Sequence, residues 1–136
     1  LGLSQLDKIE KIIDMRRKNA KYYQSKLKKI KEITLQEEPS GFKHVYQFYS
    51  ILLRNSTIRT KLMNFLASKG IMTRVFFKPV HKTVFFSKIG YGSLSLPNTE
   101  KISTQILALP MFPTLRKEEI NYIVGTITEF FEHTNK

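Results

Sequence analysis

The segment Thr73-Arg74-Val75-Phe76-Phe77-Lys78-Pro79-Val80-His81 gathers a guanidinium, two phenyl rings and an imidazole into a short stretch of chain. Strand alternation puts Arg74 and Phe76 on one face, with Thr73, Val75 and Phe77 on the other. Pro79 fixes its own φ and starts a turn that can present His81. A cation beside aromatic faces and an imidazole suits a flat, anionic, hydroxyl-bearing ligand. The plainer reading is core phenylalanines flanked by a surface arginine and histidine, and spacing alone favours it.

A second group is His44, Tyr46 and Phe48, which would share one face of a strand. A strand with amphipathic aromatics packed on the helices is the favoured reading of them. Glu118 and Glu119 complement a helix dipole and have no need to act as acids. Lys61, Lys69, Lys78, Lys82 and Lys88 lie in no setting that desolvates an amine, so none is a credible imine-forming lysine. No nucleophile–base pair, carboxylate dyad or Gly-rich phosphate loop is present, so no catalytic residue is assigned. The absence of cysteine excludes disulfides, thiolate-bound metals and a thiol nucleophile. His44, His81 and His133 are far apart in sequence, so no metal site is expected.

These residues sit in a chain of 136 residues with 23 Lys+Arg against 11 Asp+Glu, a formal charge of +12. The length fits one domain, 1–136, and 41% hydrophobic residues fit a globular chain. Positive charge is densest from Lys8 to Lys31 and is spread around a helix circumference. A solvated helix face explains it best. A phosphate-binding face is the alternative, although no zinc-finger, RNP-type or KH-like signature supports nucleic acid. Basic charge also suits an anionic small molecule. No apolar run reaches the ~18–20 residues of a membrane span, and no signal-peptide pattern opens the chain. The first residue is Leu1, which suggests a piece of something longer.

The positioning elements follow from periodicity. Ser4 and Asp7 fit a capping box before a helix over 5–29, with Leu6, Ile9, Ile13, Ala20, Tyr23, Leu27 and Ile30 on one face. Arg16 shares that face and is expected to snorkel or to meet a carboxylate on a partner surface. A helix this long is expected to pack on more than its own chain. Strands are predicted over 44–53, 71–77 and 106–109. A helix over 58–69 would be capped by Ser56 or Thr57 and closed by Gly70. Residues 79–96 read as a long aromatic-bearing loop. Short and long helices are predicted over 97–105 and 117–131. The order α-β-α-β-(loop)-α-β-α gives an α+β fold, with a small three-stranded, mainly antiparallel sheet covered by helices.

The ordered set of motifs resembles a known family. It comprises Leu1-Gly2-Leu3-Ser4-Gln5-Leu6, Arg16, Ala20 and Tyr23, a strand opening at His44, Gly70-Ile71, Thr73-Arg74, Pro79, His81, Pro97 to Glu100, Leu107 to Pro110, Phe112-Pro113 and Glu118-Glu119-Ile120. This is similar to the C-terminal domain of the DegT/DnrJ/EryC1/StrS family of PLP-dependent sugar-nucleotide aminotransferases. The Thr-Arg-x-Phe-Phe version of the motif looks like the perosamine-synthase branch, which aminates a 4-keto-6-deoxyhexose.

The resemblance implies the small domain of a fold-type I aminotransferase. The family's imine lysine and pyridine-pairing aspartate belong to a large N-terminal domain that this sequence lacks. The fragment alone is therefore expected to bind no PLP and to be inactive. The whole enzyme would transfer an amino group, usually from glutamate, to a nucleotide-linked keto sugar in polysaccharide or cell-surface sugar biosynthesis. It would be a cytoplasmic homodimer. Arg74, Phe76, Phe77 and His81 would line the substrate side, with Arg74 on anionic or hydroxyl oxygens and the phenyl rings against a deoxy sugar's methyl group. His44 and Tyr46 are the further candidates. Val84, Phe86 and Arg116 depart from the family pattern. The alternative is a basic, non-catalytic module for nucleic acid or another anionic partner.

Overall fold

The computed structural model describes residues 2, 6–76 and 78–134. Ser4, the predicted first cap, and Phe77 lie outside them. Helix α1 runs Ile9–Leu27 and buries Ala20, Tyr23 and Leu27. Its N-terminal apolar residues are not covered: Leu6 and Ile9 are 62% and 41% exposed. Only the second half of the predicted apolar stripe packs on the core. Within the chain, the Arg16 Nη1 donates to the carbonyls of Tyr46 and Gln47 at 3.1 and 2.8 Å.

Strands β1 (Ile33–Leu35), β2 (Tyr49–Leu53) and β3 (Ile106–Leu109) form an antiparallel sheet in the order β1-β2-β3. Ile33 pairs with Leu53, and Tyr49 pairs with Leu109. The α+β class and the three-stranded antiparallel sheet are as expected, but one strand is different. Among the described residues of the predicted strand over 71–77 there is a single bridge, in which Arg74 and Ala108 exchange backbone hydrogen bonds of 3.0 and 2.9 Å. The third strand is the three-residue Ile-Thr-Leu of β1, too short to show a period. The predicted strand over 44–53 is extended only from Tyr49. Before it the chain turns, with Tyr46 held at φ +46°.

Alternation along β2 decides the layers. Tyr49, Ile51 and Leu53 are buried, whereas Ser50 and Leu52 on the opposite face are half-buried. The buried face meets α1, helix α2 (Ser56–Ser68) and helix α5 (Lys117–Thr134). Leu62, Leu66, Ile120 and Ile127 are fully buried there, each contributing about 1.5–3 kcal/mol of transfer free energy. The other sheet face carries no such helical layer.

Neither Ser56 nor Thr57 caps α2. The Asn55 side chain accepts the Ile58 N–H at 2.9 Å, because Asn55 is the extended residue just before the helix. At the far end Gly70 has φ +76°. Its N–H reaches Ala67 O and the Ile71 N–H reaches Leu66 O, which is the Schellman arrangement.

The predicted loop over 79–96 is folded. It contains 3-10 turns at Val80–Lys82 and Tyr91–Ser93 around helix α3, Val84–Lys88. Phe85 stacks edge-on against Phe86, and Phe86 against Tyr91. Helix α4 (Pro97–Gln105) starts on a proline and leads directly into β3. At the start of α5, Glu119 accepts the Arg116 N–H at 2.8 Å, the glutamate half of a capping box.

Candidate functional site

The sheet face without helices forms one wall of a cleft of about 660 Å³. Thr34, Ser50, Leu52 and Ile106 supply its floor, and Ile102 of α4 one side. Phe76 and Phe48 wall it, their rings 5.1 Å apart and nearly perpendicular. Gln36, His44 and Gln47 complete the polar lining. Among the described residues no carboxylate, lysine or arginine lines the cleft.

His44 is fixed from several sides. Its N–H donates to Glu38 Oε1 at 2.9 Å, and its carbonyl accepts from Arg17 Nη1 at 2.7 Å. The same Arg17 nitrogen pairs with Glu38 at 2.7 Å. Hydrogen bonds, first from Arg17 and then from the His44 N–H, hold the Glu38 carboxyl below the usual carboxylate range. The Tyr46 N–H donates to His44 Nδ1 at 2.8 Å, and His44 Nε2 lies 2.7 Å from the Gln36 carboxamide. A ring nitrogen that accepts a backbone N–H carries no proton, so the proton sits on Nε2. Gln36 Nε2 is the amide atom nearest His44 Nε2, so two donors face each other unless the amide turns to present its Oε1.

This network over-determines Tyr46. Its left-handed backbone is costly for a non-glycine residue, about 1–3 kcal/mol. Arg16 on its carbonyl and His44 on its N–H hold it there. The ring is buried, its hydroxyl 3.4 Å from Glu38, and burial together with that carboxylate pushes the phenol up. The result is a sharp entry into β2 that delivers Gln47 and Phe48 to the cleft. Tyr46 does not line the cleft; it shapes the turn.

The predicted residues thus divide. Phe76 and His44 reach the cleft. Arg74 is exposed and anchored by its bridge to Ala108, two residues before Phe76. His81 is 6% exposed, and its Nε2 lies 2.9 Å from Glu100 Oε1. That carboxylate also accepts the Leu96 N–H at 3.1 Å and stands 3.5 Å from Lys82. His81 therefore ties the 80–96 segment to α4 and does not open on the cleft. Thr34, Gln36, Gln47 and Ser50 were not singled out from the sequence. Strict alternation opposite Tyr49 and Ile51 marks Ser50; nothing local marks Gln36, whose place depends on His44.

Every described lysine is exposed. Among the described residues no group of three His, Asp or Glu side chains is arranged to hold a metal, and no helix is long and apolar enough to cross a membrane. Among its described residues the chain supplies no desolvated amine for an imine and no carboxylate in the cleft for a pyridine nitrogen. Its described residues do not fit PLP.

Comparison with known proteins agrees with this architecture. The model of the DegT/DnrJ/EryC1/StrS aminotransferase family matches residues 1–128. A pleiotropic regulatory protein of Geobacillus stearothermophilus is 34% identical over 92% of this chain and 34% of its own length. A GDP-perosamine synthase of Escherichia coli O157:H7 is 32% identical over 96% of this chain and 35% of its own. A family aminotransferase from Brucella abortus superposes with a TM-score of 0.80 at 29% identity, over 94% of this chain and 33% of that one. The chain spans about a third of the length of the curated relatives it matches.

Proposed function

The chain belongs to the DegT/DnrJ/EryC1/StrS aminotransferase family, and from that premise we propose that it is the C-terminal, substrate-side part of a PLP-dependent enzyme that aminates a nucleotide-linked keto sugar. The likeness to GDP-perosamine synthases supports a 4-keto-6-deoxyhexose as the acceptor. The observation that carries the reading is the open sheet face. An uncharged, aromatic-walled cleft is lined by Phe76 and Ser50; exposed Arg74 stands two residues before Phe76 and its backbone pairs with Ala108, the partner of Ser50. Such a face receives a ligand with both apolar and anionic parts.

PLP, when bound, supplies the electron sink for amino transfer. It is held elsewhere in the whole enzyme, since the residues described here do not fit it. This chain's residues bind and orient. Arg74 takes phosphate or hydroxyl oxygens. Phe76, with Phe77 beside it in sequence, supplies apolar wall. His81 acts through Glu100, fixing the segment that follows Pro79, and Tyr46 holds the rim. His44 keeps the cleft's amide oriented. The glutamate donor, the homodimer and the cytoplasmic setting are carried over from the family resemblance.

The test is amino transfer. The whole enzyme converts a nucleotide-linked 4-keto-6-deoxy sugar to its amino sugar with glutamate as donor, while the 136-residue chain alone gives no product. Product from the chain alone, or none from the whole enzyme with any such sugar, overturns the reading.

A further inference from the structure

Between Glu38 and Glu100 the sequence holds no aspartate or glutamate, yet nine lysines and arginines. Most of the cleft is built from this acid-free stretch, but its lining is uncharged. The cations stand outside it. Arg74 and Lys78 lie two residues on either side of Phe76 in sequence, are exposed, and form no ion pair among the described residues. A neutral cleft with free cations at its aromatic wall matches a ligand whose neutral end is joined to a diphosphate.

We propose that the cleft binds the nucleoside of the sugar nucleotide, with its diphosphate at Arg74 and Lys78. This rests on the aminotransferase reading above and decides which end of the substrate this chain holds. The carbon to be aminated must reach PLP, which this chain does not hold. The end bound here is therefore the one remote from the chemistry. The lining agrees. Phe48 and Phe76 offer apolar walls to a flat heterocycle. The Gln36 amide, held against His44, and the exposed Gln47 amide bring hydrogen-bonding groups to the lining. Thr34 and Ser50 on the floor suit ribose hydroxyls. The excess of lysines and arginines over the stretch 39–99, with Glu38 already paired to Arg17, draws the dianion in, so capture weakens as salt rises.

The experiment is an amide-resolved NMR titration of the 136-residue chain, which carries its own buried core. The probes are GDP, dTDP, guanosine and inorganic pyrophosphate. One of the two nucleotides is expected to move the amides of Gln36, Gln47, Ser50 and Phe76, with dissociation in the range of about 0.1–1 mM. Pyrophosphate is expected to move only Arg74, Lys78 and their neighbours. Gln47→Ala and Phe48→Ala, both at partly exposed positions, weaken nucleotide binding about fivefold or more and leave pyrophosphate binding unchanged. Shifts confined to the lysines of α1, no cleft shifts at about 10 mM of either nucleotide, or variants that bind as wild type overturn the placement. In the whole enzyme, normal amino transfer with an unaltered KM in Gln47→Ala removes the nucleoside from this cleft and leaves the aminotransferase reading intact. Failure of wild-type transfer removes that reading, and the titration still decides the cleft.

Discussion

Glu100 Oε1 lies 2.9 Å from His81 Nε2, so one carboxylate joins the 3-10 turn after Pro79 to the first turn of α4. The same oxygen accepts the Leu96 N–H. These partners, led by the His81 bond, pull the Glu100 carboxyl down to about 2. A carboxyl whose folded pKa lies below its unfolded value stabilises the fold above the unfolded value, and the contribution fades as pH falls through the folded one. The thermal midpoint of the chain is therefore expected to drop as pH goes from about 4.5 toward 2. Glu100→Gln is expected to reduce that drop. Part of it remains, because Glu38 and Glu119 are also held low, by Arg17 and by the Arg116 N–H respectively. An identical acid profile in the variant contradicts the pairing.

Two buried tyrosines give opposite expectations. Tyr23 and Tyr49 stack with centroids 4.8 Å apart. The Tyr23 hydroxyl donates to Pro110 O at 3.0 Å, whereas the Tyr49 hydroxyl has no partner among the described residues. Tyr23→Phe is expected to destabilise by about 1 kcal/mol, the net worth of a hydrogen bond. Tyr49→Phe is expected to be neutral or stabilising by about 1 kcal/mol, since it removes a desolvated hydroxyl with nothing to bind. Urea unfolding of both variants decides it. Equal losses contradict the difference in their surroundings.

At the ends of α2 two substitutions report on the backbone. Asn55→Ala is expected to cost about 1 kcal/mol, while Ser56→Ala and Thr57→Ala cost much less. Gly70→Ala meets no neighbour within 4 Å, so its cost of about 1 kcal/mol is conformational, from φ +76°. Chemical denaturation of the variants measures each. A Thr57→Ala loss larger than that of Asn55→Ala returns the cap to the residue first expected from the sequence.

The long-period features were legible in the sequence, and the short or tertiary ones were not. The stripe Ile120, Ile123, Ile127 and Phe130 predicts α5 within three residues, because a 3.6 period repeated over four turns has few competitors. Gly70 and Pro97 mark their helix ends for steric reasons that need no tertiary context. Ile33-Thr34-Leu35 is invisible because three residues carry no period; it is a strand only because β2 lies beside it. Residues 71–77 have strand composition, yet among the described ones only Arg74 pairs. Residues 44–48 likewise look extended, but Arg16, Arg17 and Glu38 bend them into a turn. The site was half visible for the same reason. Phe76 and His44 are marked by type, while Gln36 becomes a cleft residue only through a histidine eight positions away.

The measurement that bears most directly on the central claim is the steady-state kinetics of Arg74→Ala in the whole enzyme, with a nucleotide-linked keto sugar as varied substrate. The Arg74 side chain is exposed, and its structural bonds are made by the backbone. The variant should therefore fold and load PLP normally. Loss of one charge-assisted contact predicts a fall in kcat/KM of about ten- to a hundredfold, with the PLP absorbance unchanged. Wild-type kinetics in this variant contradict the claim that this face receives the substrate.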